Sequence, residues 1–357
     1  MKAVRWHKRG DVRFEEVEDV RPPGPNEVQI DVEWCGICGT DVEEFTCGPL
    51  VIPTTPHPLT GFCAPMIMGH EVAGRIRRVG SGVSNVAVGD LVGLDGSFFC
   101  GQCPACRRHQ FNVCPQWAFI GMSYPGGLAE QMTVPAYTAL RVSREVPAEW
   151  IALAEPISVA VRSIRRGRLE AGEDVLILGG GAVGLGVLQV AQEMGASQVT
   201  VIENVAFRRK LAIELGATQA LAPESDLVQQ VRDVCHGGPD LIFDCTGSNE
   251  IPSQAILAVR LGGRIVQVGL PPTPRQFDIL QIALREIELI GTLGHVYDED
   301  YSSALELITS ERVQVAPLIT HRLMLKDTVA EGFSKLAANA IENVLKVVIT
   351  PKESLAS

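Results

Sequence analysis

No apolar run in the sequence approaches the roughly 18 residues of a membrane-spanning helix. A basic surplus is also missing: 31 Lys and Arg face 42 Asp and Glu, a formal net charge of −11. That balance argues against a nucleic-acid partner, which would need a concentrated basic face. There is no low-complexity tract, no block of like charge and no internal repeat, so disorder is not the organising theme. The opening MKAVRWHKRGDVRFEE is interrupted by charge where a secretory signal would be apolar, so the expected location is cytoplasmic, with no membrane partner. What is present is a 46% hydrophobic chain of 357 residues, long enough for two domains with real cores.

Residues 1–155 carry short β-like runs (VQIDVEWCG, EVAGRIRRVG, GDLVGLDG, AEQMTVPAYTALRV) broken by Gly and Pro, the punctuation of an all-β barrel or sandwich. From about Glu170 the texture changes. EDVLILGGGAVGLGVLQVAQEMGASQVTVIE reads as strand, glycine turn, helix to Met194 and Gly195, and strand, one βαβ unit. RRKLAIELGA reads as a helix, and DLIFDCTGS and GGRIVQVGL as strands, so residues 156–293 form a parallel α/β domain. The tail, residues 294–357, has a polar helix near Asp300–Ser310 and a terminal strand VLKVVIT, and is expected to return to the first domain.

Three constellations carry chemistry. Cys100, Cys103, Cys106 and Cys114 stand with two, two and seven residues between them. Four thiolates on so short a loop can wrap one Zn²⁺ tetrahedrally and leave no open position, which makes the site structural; an iron–sulfur cluster is the competing reading. Cys38 in CGICGTD, His70 and Glu71 in MGHE, and Glu155 in AEPISVA would give a second metal soft, borderline and hard ligands with a position left for water or an alcohol. On local grounds alone CGIC also reads as a redox pair, and His70 as a core histidine.

The third is Gly179, Gly181 and Gly184, with Ala182 and Val183 between the last two, directly after an apolar strand and before a helix. Such a turn lets a pyrophosphate approach the backbone at the helix N-terminus. Glu203 ends the next strand 19 residues after Gly184, where a carboxylate accepts from both ribose hydroxyls and repels a 2′-phosphate, favouring NAD over NADP. Arg208, Arg209 and Lys210 follow closely; a solvated helix face is the preferred reading, although Arg208 is a cofactor-contact candidate, as is Val268 at the end of a later strand.

In the order CGICGTD, GHE, four-cysteine lobe, EPISVA, glycine turn and terminal KVVI, the whole chain resembles the zinc-dependent medium-chain dehydrogenase/reductase family, and within it the 2,3-butanediol dehydrogenases with their sorbitol and threonine dehydrogenase relatives. The resemblance implies a discontinuous GroES-like β-barrel catalytic domain and a Rossmann NAD-binding domain. It implies two zinc ions per chain, one catalytic and one structural, and reversible NAD-linked oxidation of a secondary alcohol, with 2,3-butanediol and acetoin as the pair expected first. Threonine or another amino alcohol, sorbitol and aminocyclitols are the rival substrates. Carried over, Cys38 and His70 become ligands of the catalytic zinc, with Glu155, or Glu71 exchanging with it, as the carboxylate. Thr40 takes the substrate proton and Asp41 orients the histidine. The family often has a histidine relay three residues past the Thr40 position; here Glu43 stands there, with His57 as another route. Thr46–Ala64, Trp117, Phe119 and His295 are expected near the substrate, and Glu43 or Glu44 as an acidic wall if it is an amino alcohol. A homotetramer or dimer is expected, pairing through Ile287–Leu293. A fold kept without catalysis is disfavoured because Cys38, His70 and the glycine turn are all present.

Overall fold

A computed structural model describes residues 1–248, 250–270 and 277–355. The chain forms two compact units: Met1–Glu155 with Val296–Ser310 and Val315–Ser357, and Pro156–His295 with Glu311–Gln314.

The first unit is built on the strand Glu27–Ile37. Its sequence, EVQIDVEWCGI, is apolar and β-branched enough to be buried along nearly its whole length. It pairs antiparallel with Glu71–Val79 on one side and with Lys346–Thr350 on the other, and with Gln131–Pro135 at its beginning. The register sets Gly36 opposite both Glu71 and Val348. Leu91–Leu94 and Ala139–Arg141 extend the sheet on one side, and Ile319–Met324, parallel to Lys346–Thr350, on the other. Trp6, Ile30, Met66, Met68, Ile76 and Leu94 are among the largest fully buried side chains of the unit. A helix, Gly39–Cys47, follows the central strand immediately.

The second unit is a six-stranded parallel sheet. In spatial order it runs Gln219–Leu221, Gln198–Ile202, Asp174–Leu178, Leu241–Asp244, Arg264–Gln267, Glu288–Gly291, which is 3-2-1-4-5-6 in chain order. This is the doubly wound order whose direction reverses beside its first strand, where such folds bind ligands. The two strands flanking that point, VLIL and LIFD, are buried on both faces, as helices on either side of a parallel sheet require. The turn at Gly179, the helix Ala182–Glu193 and the strand Gln198–Ile202 form the βαβ unit expected from the sequence, and Met194 and Gly195 end that helix, the latter at φ +90°.

The helix expected to be polar, Asp300–Thr309, is amphipathic instead: Tyr301, Ala304, Leu305 and Ile308 are buried at helical spacing. Among the described residues no helix is long and apolar enough to cross a membrane.

Candidate active site

Cys38 occupies the N-cap of the helix Gly39–Cys47. Asp41, in the first turn, reaches back so that its Oδ2 accepts the Cys38 backbone N–H at 2.9 Å. Its Oδ1 lies 3.5 Å from His70 Nδ1, and both side chains are buried. One carboxylate therefore holds both the backbone of Cys38, between the central strand and the helix, and the imidazole of His70. Burial pushes the His70 pKa down, but the negative charges of Asp41 and Cys38 outweigh it and hold the value well above the ordinary range. Thr40 Oγ1 lies 3.8 Å from Cys38 Sγ.

Glu71, the first residue of its strand, is fully buried. Its Oε1 accepts a hydrogen bond from Lys346 Nζ at 2.6 Å, and its Oε2 has no hydrogen-bond partner. Lys346 is itself buried and also donates to the Ile37 carbonyl, 3.3 Å away. Glu71 owes its position to Gly36: a Cβ there would stand 1.9 Å from Glu71 Oε2.

Ligand atoms of Cys38, His70 and Glu71 all lie within 4.8 Å of one another. Glu155 is not in that set. It is buried in the first turn of the helix Ala154–Gly167, and its negative charge acts on Lys346 and Tyr301. A thiol, an imidazole and a carboxylate with an unpartnered buried oxygen, converging on one point, fit a zinc ion.

Cys100, Cys103, Cys106 and Cys114 form the second such group among the described residues. Sγ separations of 3.6 Å (Cys100 to Cys114) and 4.0 Å (Cys100 to Cys106) match the edge of about 3.8 Å of a tetrahedron with Zn–S bonds of about 2.3 Å. Backbone N–H groups of Cys106 and Gln116 donate to the sulfurs of Cys103 and Cys114, both at 3.4 Å. Hydrogen bonds from Gln102 and Cys103 N–H lower the Cys100 thiol pKa to about 6, which favours the thiolate a metal needs. Phe99 stacks on Phe111 inside the lobe, at a centroid distance of 4.1 Å, and Tyr297 packs against both.

Phe119 meets His70 edge-on at 5.9 Å, and Trp117 stacks on Phe119 at 5.4 Å. Glu44 does not form an acidic wall: it is buried, and its carboxylate accepts from the N–H groups of Leu50 and Val51. His57 Nδ1 accepts from Leu59 N–H within its own loop. His295 is buried in the second unit.

In that second unit Gly179 adopts φ +96°, and a Cβ on Gly184 would fall 2.0 Å from the Gly179 carbonyl oxygen, so the turn admits no side chain there. Gly181 caps the helix Ala182–Glu193 with open space where its Cβ would be, so the N–H groups of Ala182 and Val183 begin the helix beside an uncrowded backbone. That cradle fits a dinucleotide pyrophosphate. Glu203 stands at the end of the adjoining strand, its Oε2 accepting from Gly180 N–H at 2.7 Å and its Oε1 from Val205 N–H at 2.8 Å. Arg208 Nη1 is 4.0 Å from Glu203 Oε2, whereas Arg209 caps the carbonyls of Glu203 and Asn204 and Lys210 pairs with Glu214 on the surface. Val268 N–H donates to the Asp244 carbonyl just past its strand.

The sequence reading did not single out Lys346 or Gly36. A lysine inside the apolar strand VLKVVIT was the available signal, because a cation at such a position requires a buried partner.

A parallel nucleotide-type sheet and a β unit holding two metal-type clusters define a metal-dependent, dinucleotide-using oxidoreductase. Comparison with known proteins agrees: residues 24–144 match the alcohol dehydrogenase GroES-like domain and residues 182–310 the zinc-binding dehydrogenase domain. The chain is 33% identical to (R,R)-butanediol dehydrogenase of Neisseria gonorrhoeae, covering 98% of this chain and 99% of that one. It is 34% identical to L-threonine 3-dehydrogenase of Pyrococcus furiosus over 92% of each chain. The crystal structure of 2R,3R-butanediol dehydrogenase from Bacillus subtilis superposes with a TM-score of 0.90 at 32% identity, covering 98% of this chain and 99% of that one. The chain belongs to the zinc-binding alcohol dehydrogenases, the medium-chain dehydrogenase/reductase family. It is an NAD- and zinc-dependent enzyme acting on alcohols, with the GroES-like and Rossmann-type folds expected from its sequence.

Proposed function

We propose that the enzyme interconverts a vicinal diol and its hydroxyketone, with (R,R)-2,3-butanediol and acetoin as the first pair to try. The observation that carries this is the full-length likeness to butanediol dehydrogenases. The apolar face that Phe119 and Trp117 set beside His70 suits a small diol with methyl ends.

Cys38, His70 and Glu71 hold the catalytic zinc, with Glu155 as the carboxylate that exchanges with Glu71; the four clustered cysteines hold a structural one. A zinc ion held at Cys38, His70 and Glu71 would supply Lewis-acid polarisation of the substrate hydroxyl, and a bound NAD would supply the hydride acceptor. Thr40 receives the hydroxyl proton. Glu43, three residues on and so on the same helix face, takes it onward; partial desolvation of this largely exposed side chain raises its carboxyl pKa, which suits a proton acceptor. Gly179, Gly181, Ala182, Val183 and Gly184 receive the NAD pyrophosphate, Glu203 its ribose hydroxyls, and Arg208 and Val268 flank the nucleotide.

The subunits assemble as a homotetramer or a dimer in the cytoplasm. The strand Glu288–Gly291 is the sheet edge, with Leu289 exposed on it, and Ile279, Leu280 and Leu284 are exposed on the helix beside it. An edge strand left with such apolar neighbours is a surface for its own mate.

NADH formation with NAD⁺ and with NADP⁺, across the stereoisomers of 2,3-butanediol, sorbitol and threonine, tests the assignment. Turnover of one butanediol isomer with NAD⁺ supports it. Preference for threonine instead favours the amino-alcohol reading that the Pyrococcus furiosus likeness brings.

A further inference from the structure

We infer that Asp244 discriminates between the two oxidation states of the cofactor: its buried charge favours the cationic oxidised nicotinamide over the neutral reduced one. This rests on the reading of the glycine turn and Glu203 as the dinucleotide cradle.

The sheet register places the groups. Ile202, Leu178, Asp244 and Gln267 stand in one row across four neighbouring parallel strands, each the last residue of its strand. Glu203 follows Ile202 and Gly179 follows Leu178, so the glycine turn lies between two carboxylates, Glu203 on one side and Asp244 on the other. A doubly wound sheet of this order takes a dinucleotide as two halves, one on each side of the switch point. With the pyrophosphate at the turn and the adenosine ribose at Glu203, the nicotinamide half falls to the Asp244 side. The chain after Asp244 closes on the same turn: Cys245 N–H donates to the Leu178 carbonyl at 2.9 Å, and a Cβ on Gly179 would stand 3.1 Å from Thr246 Cγ2.

Asp244 is fully buried. Its Oδ1 accepts from Thr246 N–H at 2.9 Å and from the Thr246 hydroxyl at 2.7 Å, and its Oδ2 from Gln267 Nε2 at 3.1 Å. All three donors are neutral, so among the described residues no hydrogen-bond partner cancels the charge. Glu203, by contrast, has the Arg208 guanidinium 4.0 Å away. Burial pushes the neighbouring Cys245 thiol up and the Asp244 charge adds to that, so the field reaches the chain beside Gly179.

The sign follows from the cofactor's chemistry. Oxidation gives the nicotinamide one positive charge and leaves the rest of the dinucleotide unchanged. A fixed anion in a buried, weakly screened setting stabilises the oxidised form alone. Removing it weakens NAD⁺ binding and leaves NADH binding comparatively untouched.

The test measures dissociation constants on the full-length, zinc-loaded enzyme without substrate, by calorimetry for NAD⁺ and by cofactor fluorescence for NADH. Asp244→Asn, which keeps an acceptor for Thr246, is expected to raise the ratio of the NAD⁺ to the NADH constant by about tenfold. Thr246→Val, which removes a hydroxyl donor and keeps the charge, is expected to leave the ratio unchanged. If Asp244→Asn does not fold by circular dichroism, Gln267→Lys, which sets an ammonium against the intact carboxylate, is read in its place and is expected to raise the ratio likewise. Glu203→Ala is expected to weaken both forms alike, because both carry the same ribose. An unchanged ratio in the folded Asp244 or Gln267 variant, with Glu203→Ala weakening both forms, overturns the inference and leaves the cradle standing. No effect of Glu203→Ala on either form overturns the cradle reading and the inference with it.

Discussion

Gly36 and Glu71 face each other across adjacent antiparallel strands, and a single added methyl at Gly36 would sit 1.9 Å from the Glu71 carboxylate. Neither the sheet backbone nor the buried carboxylate can move away cheaply. Gly36→Ala is therefore expected to cost about 1–3 kcal/mol of stability, typical of overpacking, and to displace Glu71. Chemical denaturation measures the first; the second appears as loss of the catalytic zinc with the cysteine lobe still loaded.

Asp41 acts on Cys38 through a backbone N–H and on His70 through charge. Asp41→Asn keeps an acceptor for the N–H and removes the charge behind the imidazole, so affinity for the catalytic metal should fall by about 10–100-fold. Asp41→Ala should fall further, since the helix also loses its cap. Metal titration of the stripped enzyme separates the two variants, and equal losses would make the cap irrelevant.

Cys103→Ala leaves three sulfurs at a site whose geometry calls for four. The variant should bind half the zinc of the wild type and lose more stability than the about 0.5–3 kcal/mol of an ordinary substitution. Assembly should weaken before intrinsic turnover does. A stable, fully assembled but inactive variant would contradict a structural role.

Glu203 is fixed by two backbone N–H groups, with the Arg208 guanidinium 4.0 Å away. Glu203→Ala removes the carboxylate that would accept the ribose hydroxyls and leaves the guanidinium to meet a 2′-phosphate. The ratio of kcat/KM for NAD⁺ to that for NADP⁺ is expected to fall by at least about tenfold. An unchanged ratio would remove Glu203 from cofactor selection.

Asp240 joins the starts of two neighbouring parallel strands by accepting the Asp174 N–H at 2.8 Å, and it pairs with Arg260. Burial raises its carboxyl pKa, but the Asp174 N–H and the Arg260 guanidinium outweigh this and hold it below the ordinary 3.8. A depressed carboxyl contributes stability that is present above its unfolded pKa and is lost as pH falls through the folded one. Asp240→Asn should therefore be less stable than wild type at neutral pH, with the gap closing in acid below the ordinary carboxylate range. Denaturation at the two pH values measures the gap, and a constant gap would exclude the charge as its cause.

Legibility followed sequence distance. The four cysteines stand out because all four thiols fall within one short loop, and the glycine turn because strand, turn and helix are contiguous. The helix Gly39–Cys47 was hidden, because GTDVEEFTC has little apolar periodicity and the helix start is fixed by the Asp41 cap. Glu43 and Glu44 look alike in sequence, yet only the fold shows that Glu44 closes the loop at Leu50 and Val51. Lys346 was the hardest to see, because no local rule links a lysine in an apolar strand to a glutamate 275 positions earlier.

That separation also sets an order of events during synthesis. Cys38, His70 and Glu71 leave the ribosome early, but their counter-charge arrives only with the strand Lys346–Thr350. At about 5–20 residues per second, the 275 intervening positions correspond to a wait of roughly 15–55 s. Throughout it the Cys35–Ile37 end of the central strand lacks its partner Val347–Ile349, while Gln131–Pro135 is already available to pair with its beginning, and Glu71 lacks the Lys346 ammonium. The entire parallel-sheet unit is made in that interval, so the nucleotide-type unit is available to fold before the β unit can close. The buried carboxylate of Glu71 thus acquires its counter-charge only with one of the last strands to be made.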